Sequence, residues 1–393
     1  MVWSGFYRKS SHTTDISISL NIPVIRITNF PLMNTVLLLG TRKGLLQLEQ
    51  RDNQWQVERL SFEGAPVAYS MHDPRNNTLW ACIDHGHWGQ KLHRSRDWGE
   101  TWEEIPSPQY PEGAQLGDGK PATLRYLWSM ATGGDDRPQR LYIGTEPGGL
   151  FRSDDGGDTF QLVEGLWNHP SRTQWFGGGR DNPGIHSIFV DPRDSNRVLV
   201  AISCAGVFET TDDGVTWRPM NKGMIADFLP DPHAEIGQDP HFMTASPSHP
   251  DMLWQQNHCG IFRSTDGGAN WEHVSQEGGP AYYGFAIAVD EKRPETAWVV
   301  PMHSDGKRMA IDGALCVSRT EDGGASWNAL RNGLPQQNCF DVVFRHALDI
   351  KGDMLAFGST TGNAFVSHDR GESWSDLGGY LPPIYSVRFA ERN

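Results

Sequence analysis

Short runs of mostly apolar residues recur along this chain in sets of four, each run closed off by Gly, Asp, Pro or Asn. One set reads IHSIFVD (185–191), RVLVAIS (197–203), GVFETT (206–211) and VTWRPM (215–220), with DPRDSN between the first two. The β-branched and aromatic content predicts strands, and the short polar breaks predict hairpins. Each set is therefore expected to form one antiparallel four-stranded sheet. Equivalent sets run over 67–105, 124–163, 241–274, 285–330 and 341–377, the last with DVVFRHA (341–347) as its first strand.

An eight-residue pattern lies in each of these six sets: Ser/Thr, any, Asp, any, Gly, any, Thr/Ser/Asn, aromatic. The copies are SRDWGETW (95–102), SDDGGDTF (153–160), TTDDGVTW (210–217), STDGGANW (264–271), TEDGGASW (320–327) and SHDRGESW (367–374). An Asp that caps backbone N–H groups, followed by a Gly, is the chemistry of a tight turn. These acids are read as structural, and the closing aromatic as filler between adjacent sheets.

A seventh set lacks a recognisable copy. VLLLGT (36–41), GLLQLE (44–49) and QWQVERL (54–60) supply three strands, with LEQRDNQW (48–55) where the turn motif belongs. The missing strand is IYSVRFA (384–390), at the other end of the chain. The expected fold is all-β: a single seven-bladed β-propeller of four-stranded blades, closed by the C-terminal strand joining the N-terminal blade. Closure leaves no open sheet edge. Residues 1–32 fall outside the repeat as an N-terminal extension, and 33–393 form the propeller.

Composition narrows the classes. With 15 Trp and 17 Phe the chain is not a disordered one. A net charge of −14 argues against a nucleic-acid footprint. Cys82, Cys204, Cys259, Cys316 and Cys339 form no CxxC pair and suit free thiols in a reducing compartment. No run approaches 18 apolar residues, so no membrane span is expected, and the first 30 residues lack a continuous apolar export segment. The expected location is the cytoplasm.

Strand direction alternates within a blade, which divides the turns between two ends of the ring. The aspartate turns fall on one end. The turns between second and third strands, and the starts of the inner strands, fall on the other. That second end is rich in ligand-capable residues. His85, His186, His241 and His303 are the expected ligands of one divalent ion, Zn, Mn or Fe. Glu146 and Asp305 are candidate bases, and His258 and Tyr283 further acid–base candidates. Arg42, Lys43, Arg125 and Arg308 offer positive charge to a carboxylate or phosphate, and Trp88 and Trp175 offer stacking faces. Two other readings stay open: the same groups bind an anionic or polyhydroxylated ligand without metal, or they face channel water as satisfied structural residues. The leading expectation is a hydrolase- or lyase-like pocket for a small polar or anionic, sugar-derived substrate. The alternatives are a protein-interaction or assembly scaffold and a carbohydrate-binding ring, and turnover itself stays open.

The six turn motifs resemble the Asp-boxes of the sialidase, or BNR-repeat, superfamily. LLLGTRKGL, EPGGLFRSDDGG, VAISCAGVFETTDDG and QQNHCGIFRSTDGG resemble its WD40/YVTN/BNR-like bacterial branch. The resemblance implies the propeller fold and, as a further alternative, a sialidase-like glycoside hydrolase. The nearest match to the sialidase Phe-Arg-Ile-Pro motif is VIRIT (24–28), which lacks its aromatic and its proline and precedes the ring. No sialidase catalytic residue is carried over. Seven-bladed xyloglucanases are similar in blade but pair two rings; the photosystem II assembly factor and some polysaccharide lyases are similar as single rings.

Overall fold

The computed structural model describes residues 35–52 and 54–392. The expected extension over 1–32 and VIRIT lie outside the described residues.

Seven four-stranded antiparallel sheets are present. The inner strand of each touches the inner strand of the next, and the last touches the first, so the sheets form a closed ring. In chain order the inner strands are Val67–Asp73, Tyr126–Thr132, Ile185–Val190, Pro240–Ser246, Gly284–Val289, Leu348–Lys351 and Ile384–Glu391. The last of these belongs to the N-terminal blade. It pairs with Thr35–Thr41 from Thr35 opposite Glu391 to Thr41 opposite Ile384. That pairing is the expected closure.

The six aspartate turns share one geometry. In each, the Asp accepts from the leading Ser or Thr hydroxyl at 2.7–2.8 Å. It also accepts from the backbone N–H four residues on at 2.8–3.0 Å. The same hydroxyl accepts from the Gly N–H at 2.8–2.9 Å. The Gly residues have φ between +84° and +94°, where a side chain is strained. The N-terminal blade does without this device: Gln50 pairs with Trp55 and Arg51 with Gln54 in a direct hairpin.

A second repeated device joins blade to blade. Arg94, Arg152, Arg263 and Arg319 each sit on a third strand, one residue before the turn hydroxyl. Each donates to a carbonyl in the next blade's aspartate turn, at Gly156, Asp213, Gly323 and Arg370 respectively, over 2.7–3.2 Å. Where the fourth blade carries Glu209 instead, Arg197 pairs with that Glu and takes over the link to Gly267. The turn aromatics reach the other way. Trp102, Trp271 and Trp327 donate from Nε1 to Ser61, Met220 and Val274 of the preceding blade.

One strand differs from expectation. The inner strand of the seventh blade is Leu348–Lys351, whereas DVVFRHA over 341–347 is irregular. Asp341 accepts hydrogen bonds from Cys339, Ser359, Thr361 and Asn363, which draws the start of that segment away from the strand line. Phe344, Arg345 and His346 then reach a cavity at the ring axis instead of pairing in a sheet. All five cysteines are free and buried.

Deleting residues 384–393 should abolish the cooperative thermal transition seen by circular dichroism, because it bares the edge of Thr35–Thr41 and removes the inner strand that packs against both neighbouring blades. A shortened chain that melts cooperatively within a few degrees of the full one would contradict the closure.

Candidate functional site

A cavity of about 630 Å³ opens at the end of the ring opposite the aspartate turns. Its walls come from the starts of inner strands, from turns between second and third strands, and from the links between blades. This is the end the alternation of strand direction selected.

The polar centre of the cavity is Asp239, His241 and His258. Asp239 immediately precedes the inner strand Pro240–Ser246, and His241 lies two residues further. The strand register shifts between Pro240 and Phe242, a bulge at His241, and the His241 ring meets the Asp239 carboxylate there. His258 sits in the turn after His249–Asn257, and its backbone N–H donates to the Asp239 carbonyl at 3.0 Å. Asp239 Oδ1 accepts from the Cys204 N–H at 3.0 Å. Asp239 Oδ2 lies 3.5 Å from His241 Nε2 and 3.5 Å from His258 Nδ1. Burial alone would push the Asp239 carboxyl up, but the two imidazoles outweigh it and hold it well below the usual carboxylate range. The same carboxylate raises His258, against its partial burial. His241 is buried, and burial lowers it.

Beside this group stand Tyr283 and Asp305. The Tyr283 hydroxyl donates to Asp305 Oδ1 at 3.2 Å. Burial, then the Asp305 charge, push the Tyr283 phenol up, so it stays protonated. Arg308 pairs with Asp305 and holds its carboxyl low.

Three guanidinium groups line the cavity, and two are neutralised: Arg180 by Glu146, and Arg308 by Asp305. Arg345 has no carboxylate partner and no hydrogen bond among the described residues. Its guanidinium carbon lies 5.3 Å from the Trp128 ring centre and 5.0 Å from that of Phe285. Its Nε is buried without a hydrogen-bond partner. Burial lowers its pKa to about 10 against the longer-range pull of the Asp239 charge, which still leaves it charged at neutral pH.

Of the expected site residues, the structure brings His241, His258, Tyr283, Asp305 and Arg308 together around this cavity. Glu146 is one step behind, buried and paired with Arg180. The expected metal set is not assembled. His85 Nδ1 accepts from the backbone of His87 and Trp88, so it caps its own turn. His303 is exposed. His186 is fully buried one layer deeper, where it lines a second cavity of about 290 Å³ toward the aspartate-turn end. Among the described residues, the His, Cys, Asp and Glu side chains that meet at ligand distance are Asp239, His241 and His258, all within 4.8 Å of one another.

The expected ligand-binding residues divide in the same way. Arg42, Lys43 and Arg125 are exposed and outside the cavity lining. Trp88 is 69% exposed on its turn. Trp175 is core: a 3-10 turn over Pro170–Gln174 folds it back onto the fourth blade, 5.0 Å from the Phe208 ring, with Nε1 donating to Ser171 at 3.0 Å. Only the second half of that long link, Phe176 to Arg180, faces the cavity. Sequence reasoning missed Asp239, Trp128 and Phe285. For Asp239 the one sequence signal was its position two residues before His241; the bulge that brings the two together is not a pattern the sequence shows.

No family model matches the chain. Over 306 residues it is 26% identical to a xyloglucanase from a Paenibacillus species, covering 72% of this chain and 27% of that protein. Over 209 residues it is 27% identical to a probable oligoxyloglucan-reducing end-specific xyloglucanase of Neosartorya fischeri, covering 51% and 21%. The chain thus spans under a third of the length of these two curated relatives. Among solved structures, the periplasmic gluconolactonase of Pseudomonas aeruginosa superposes with a TM-score of 0.55 at 12% identity, over 90% of this chain and 98% of that one. An ancestral GH74 enzyme gives 0.53 at 15% identity, over 83% and 38%. These structural likenesses show the seven-bladed propeller fold.

Trp175→Ala should cost about 3–5 kcal/mol in denaturant unfolding, the range for a buried aromatic. Trp88→Ala should change stability by less than about 0.5 kcal/mol. Equal effects would contradict their placement in core and on surface.

Proposed function

We propose that the cavity is the catalytic pocket of a carbohydrate-active hydrolase that takes a small, sugar-derived substrate carrying one carboxylate. The observation that carries this reading is Arg345, a charged guanidinium at the cavity wall between Trp128 and Phe285 that has no direct ion pair or hydrogen bond among the described residues and feels Asp239 only at longer range. An unpaired charge in a half-dry site costs several kcal/mol. A ligand carboxylate would supply the missing partner through two parallel N–H···O bonds. Trp128 and Phe285 would flank a sugar ring held there. The similarity to xyloglucanases supports carbohydrate as the substrate class.

Arg308 holds Asp305 low and Asp239 faces two imidazoles, so neither is taken as the proton-bearing carboxyl that a two-carboxylate glycosidase needs. Tyr283 stays protonated and its hydroxyl donates to Asp305, and in this reading it would give that proton to a leaving oxygen. The reading carries one divalent ion of the zinc, manganese or iron type as cofactor, which would supply an activated water. In the lyase form of the same reading, Asp305 would take the proton from the carbon next to the carboxylate, Tyr283 would give one to the departing oxygen, and Arg345 would stabilise the charge that develops between the two steps.

A second reading, a protein-interaction scaffold, is favoured by Trp88, Phe340 and Tyr380, which stand exposed on loops of this same end. The location expected for either is the cytoplasm.

Calorimetry with D-glucuronate, D-glucose and glucose 6-phosphate tests the leading reading. Binding should be seen for the carboxylate sugar and not for glucose. Arg345→Met should weaken it about 10–100-fold, the loss of a charge-assisted hydrogen-bond pair. The same variant should melt no lower than the wild type, since it removes an unpaired charge. Equal binding of glucuronate and glucose, or an unchanged affinity in the variant, would sink it.

A further inference from the structure

We infer that Asp239, His241 and His258 are the three protein ligands of a tetrahedral zinc ion whose fourth position faces the cavity. The inference deepens the proposed function by naming the ion and its ligands.

The protonation pattern of His241 is the first argument. Its Nδ1 lies 2.6 Å from the Gly284 carbonyl oxygen, which can only accept. Nδ1 therefore carries the hydrogen, and in the neutral ring Nε2 carries a lone pair. That lone pair faces Asp239 Oδ2 at 3.5 Å. Two acceptors facing each other in a buried site repel unless a cation sits between them. A proton on Nε2 would make a fully buried imidazolium and should draw the atoms to about 2.8 Å, the length of a charge-assisted bond. The observed gap is wider than that.

Spacing is the second argument. Two ligand atoms about 2.1 Å from a tetrahedral ion lie about 3.4 Å apart, whereas neighbouring ligands of an octahedral ion lie about 3.0 Å apart. Both Asp239–imidazole separations are 3.5 Å, next to the tetrahedral value, and all three ligand atoms lie within 4.8 Å of one another. Three ligand atoms from one carboxylate and two histidines, with a position left open, is the composition of a catalytic rather than a structural zinc site.

The surroundings form the third. A metal-bound histidine usually donates its other ring N–H to a carbonyl or carboxylate, and a metal-bound carboxylate usually takes a hydrogen bond on its free oxygen. Gly284 fills the first role for His241, and the Cys204 N–H the second for Asp239. Cys204 holds that N–H in place with a left-handed φ of 48°, a conformation uncommon outside Gly and Asn. The His258 ring is set edge-on to Phe228 and Tyr283, with centres 5.1 and 5.5 Å apart. Tyr283 and Arg345 line the same cavity, so a water on the open position would lie near both the proton donor and the carboxylate seat.

The test uses the full-length protein stripped with a chelator. Calorimetric titration with zinc sulfate should show one saturable equivalent. Cobalt(II) in place of zinc should give the intense visible absorption of a tetrahedral site. His258→Ala and Asp239→Asn should each weaken zinc binding by more than about 100-fold, beyond the 10–100-fold effect of a group acting from outside the ligand set. His85→Ala and His303→Ala should leave it unchanged. No saturable zinc, a pale octahedral cobalt spectrum, or an equal loss in the His85 or His303 variants would overturn the inference. The cobalt spectrum of the unmutated protein decides the matter even if a variant fails to fold. No sugar is present in these titrations, so their failure is separate from a failure of sugar-acid binding.

Discussion

Antiparallel pairing between Ile384–Glu391 and Thr35–Thr41 is the constraint on which the rest of the molecule depends. It joins the two ends of the described chain in one sheet, covers the edge of Thr35–Thr41, and supplies the inner strand that touches both neighbouring blades. With the ring closed, the seven inner strands surround a common axis, and their starts must converge at one end. The aspartate turns, the third-strand arginines and the turn aromatics then lock blade to blade at the other end. One end of the ring is thereby committed to stability. The other is free to carry loops of unequal length and unusual backbone, such as the left-handed Cys204 and the irregular stretch before Leu348.

The chemistry at the free end is a matter of charges that cancel and charges that do not. Glu146 cancels Arg180 and Asp305 cancels Arg308, so both pairs are set before any ligand arrives. Two features are left over among the described residues: a guanidinium without a direct ion pair at Arg345, and an imidazole lone pair facing a carboxylate at His241 and Asp239. One asks for an anion and the other for a cation. A sugar carboxylate and a divalent ion answer the two demands, and in that arrangement Tyr283 is the proton source.

Most of the fold was legible in the sequence because strands and tight turns are local. The strands at 36–41, 67–73 and 384–390 came from two-residue alternation and from turn residues at fixed offsets, and the observed strands agree to within a residue or so. DVVFRHA has the composition of a strand and still is not one, since four hydrogen-bond donors scattered from Cys339 to Asn363 fix Asp341 elsewhere. The site was legible by end and only partly by residue. Strand direction placed His241, His258 and Asp305 at the correct mouth. The direction of a side chain within a turn is not a property of strand order, which is why His85 caps its own turn and His303 points to solvent. Trp175 was misread because the link that carries it folds into a short helical turn and buries it. Arg345 lies in the irregular stretch before Leu348, and nothing local in the sequence marks it as a cavity residue.

The central claim is that a metal and a carboxylate meet in this cavity, and diffraction at the zinc absorption edge tests it most directly. Crystals soaked with zinc and D-glucuronate should show one anomalous peak between Asp239 Oδ2, His241 Nε2 and His258 Nδ1, with the sugar carboxylate on Arg345. A peak elsewhere, or a sugar bound away from Arg345, would contradict the account.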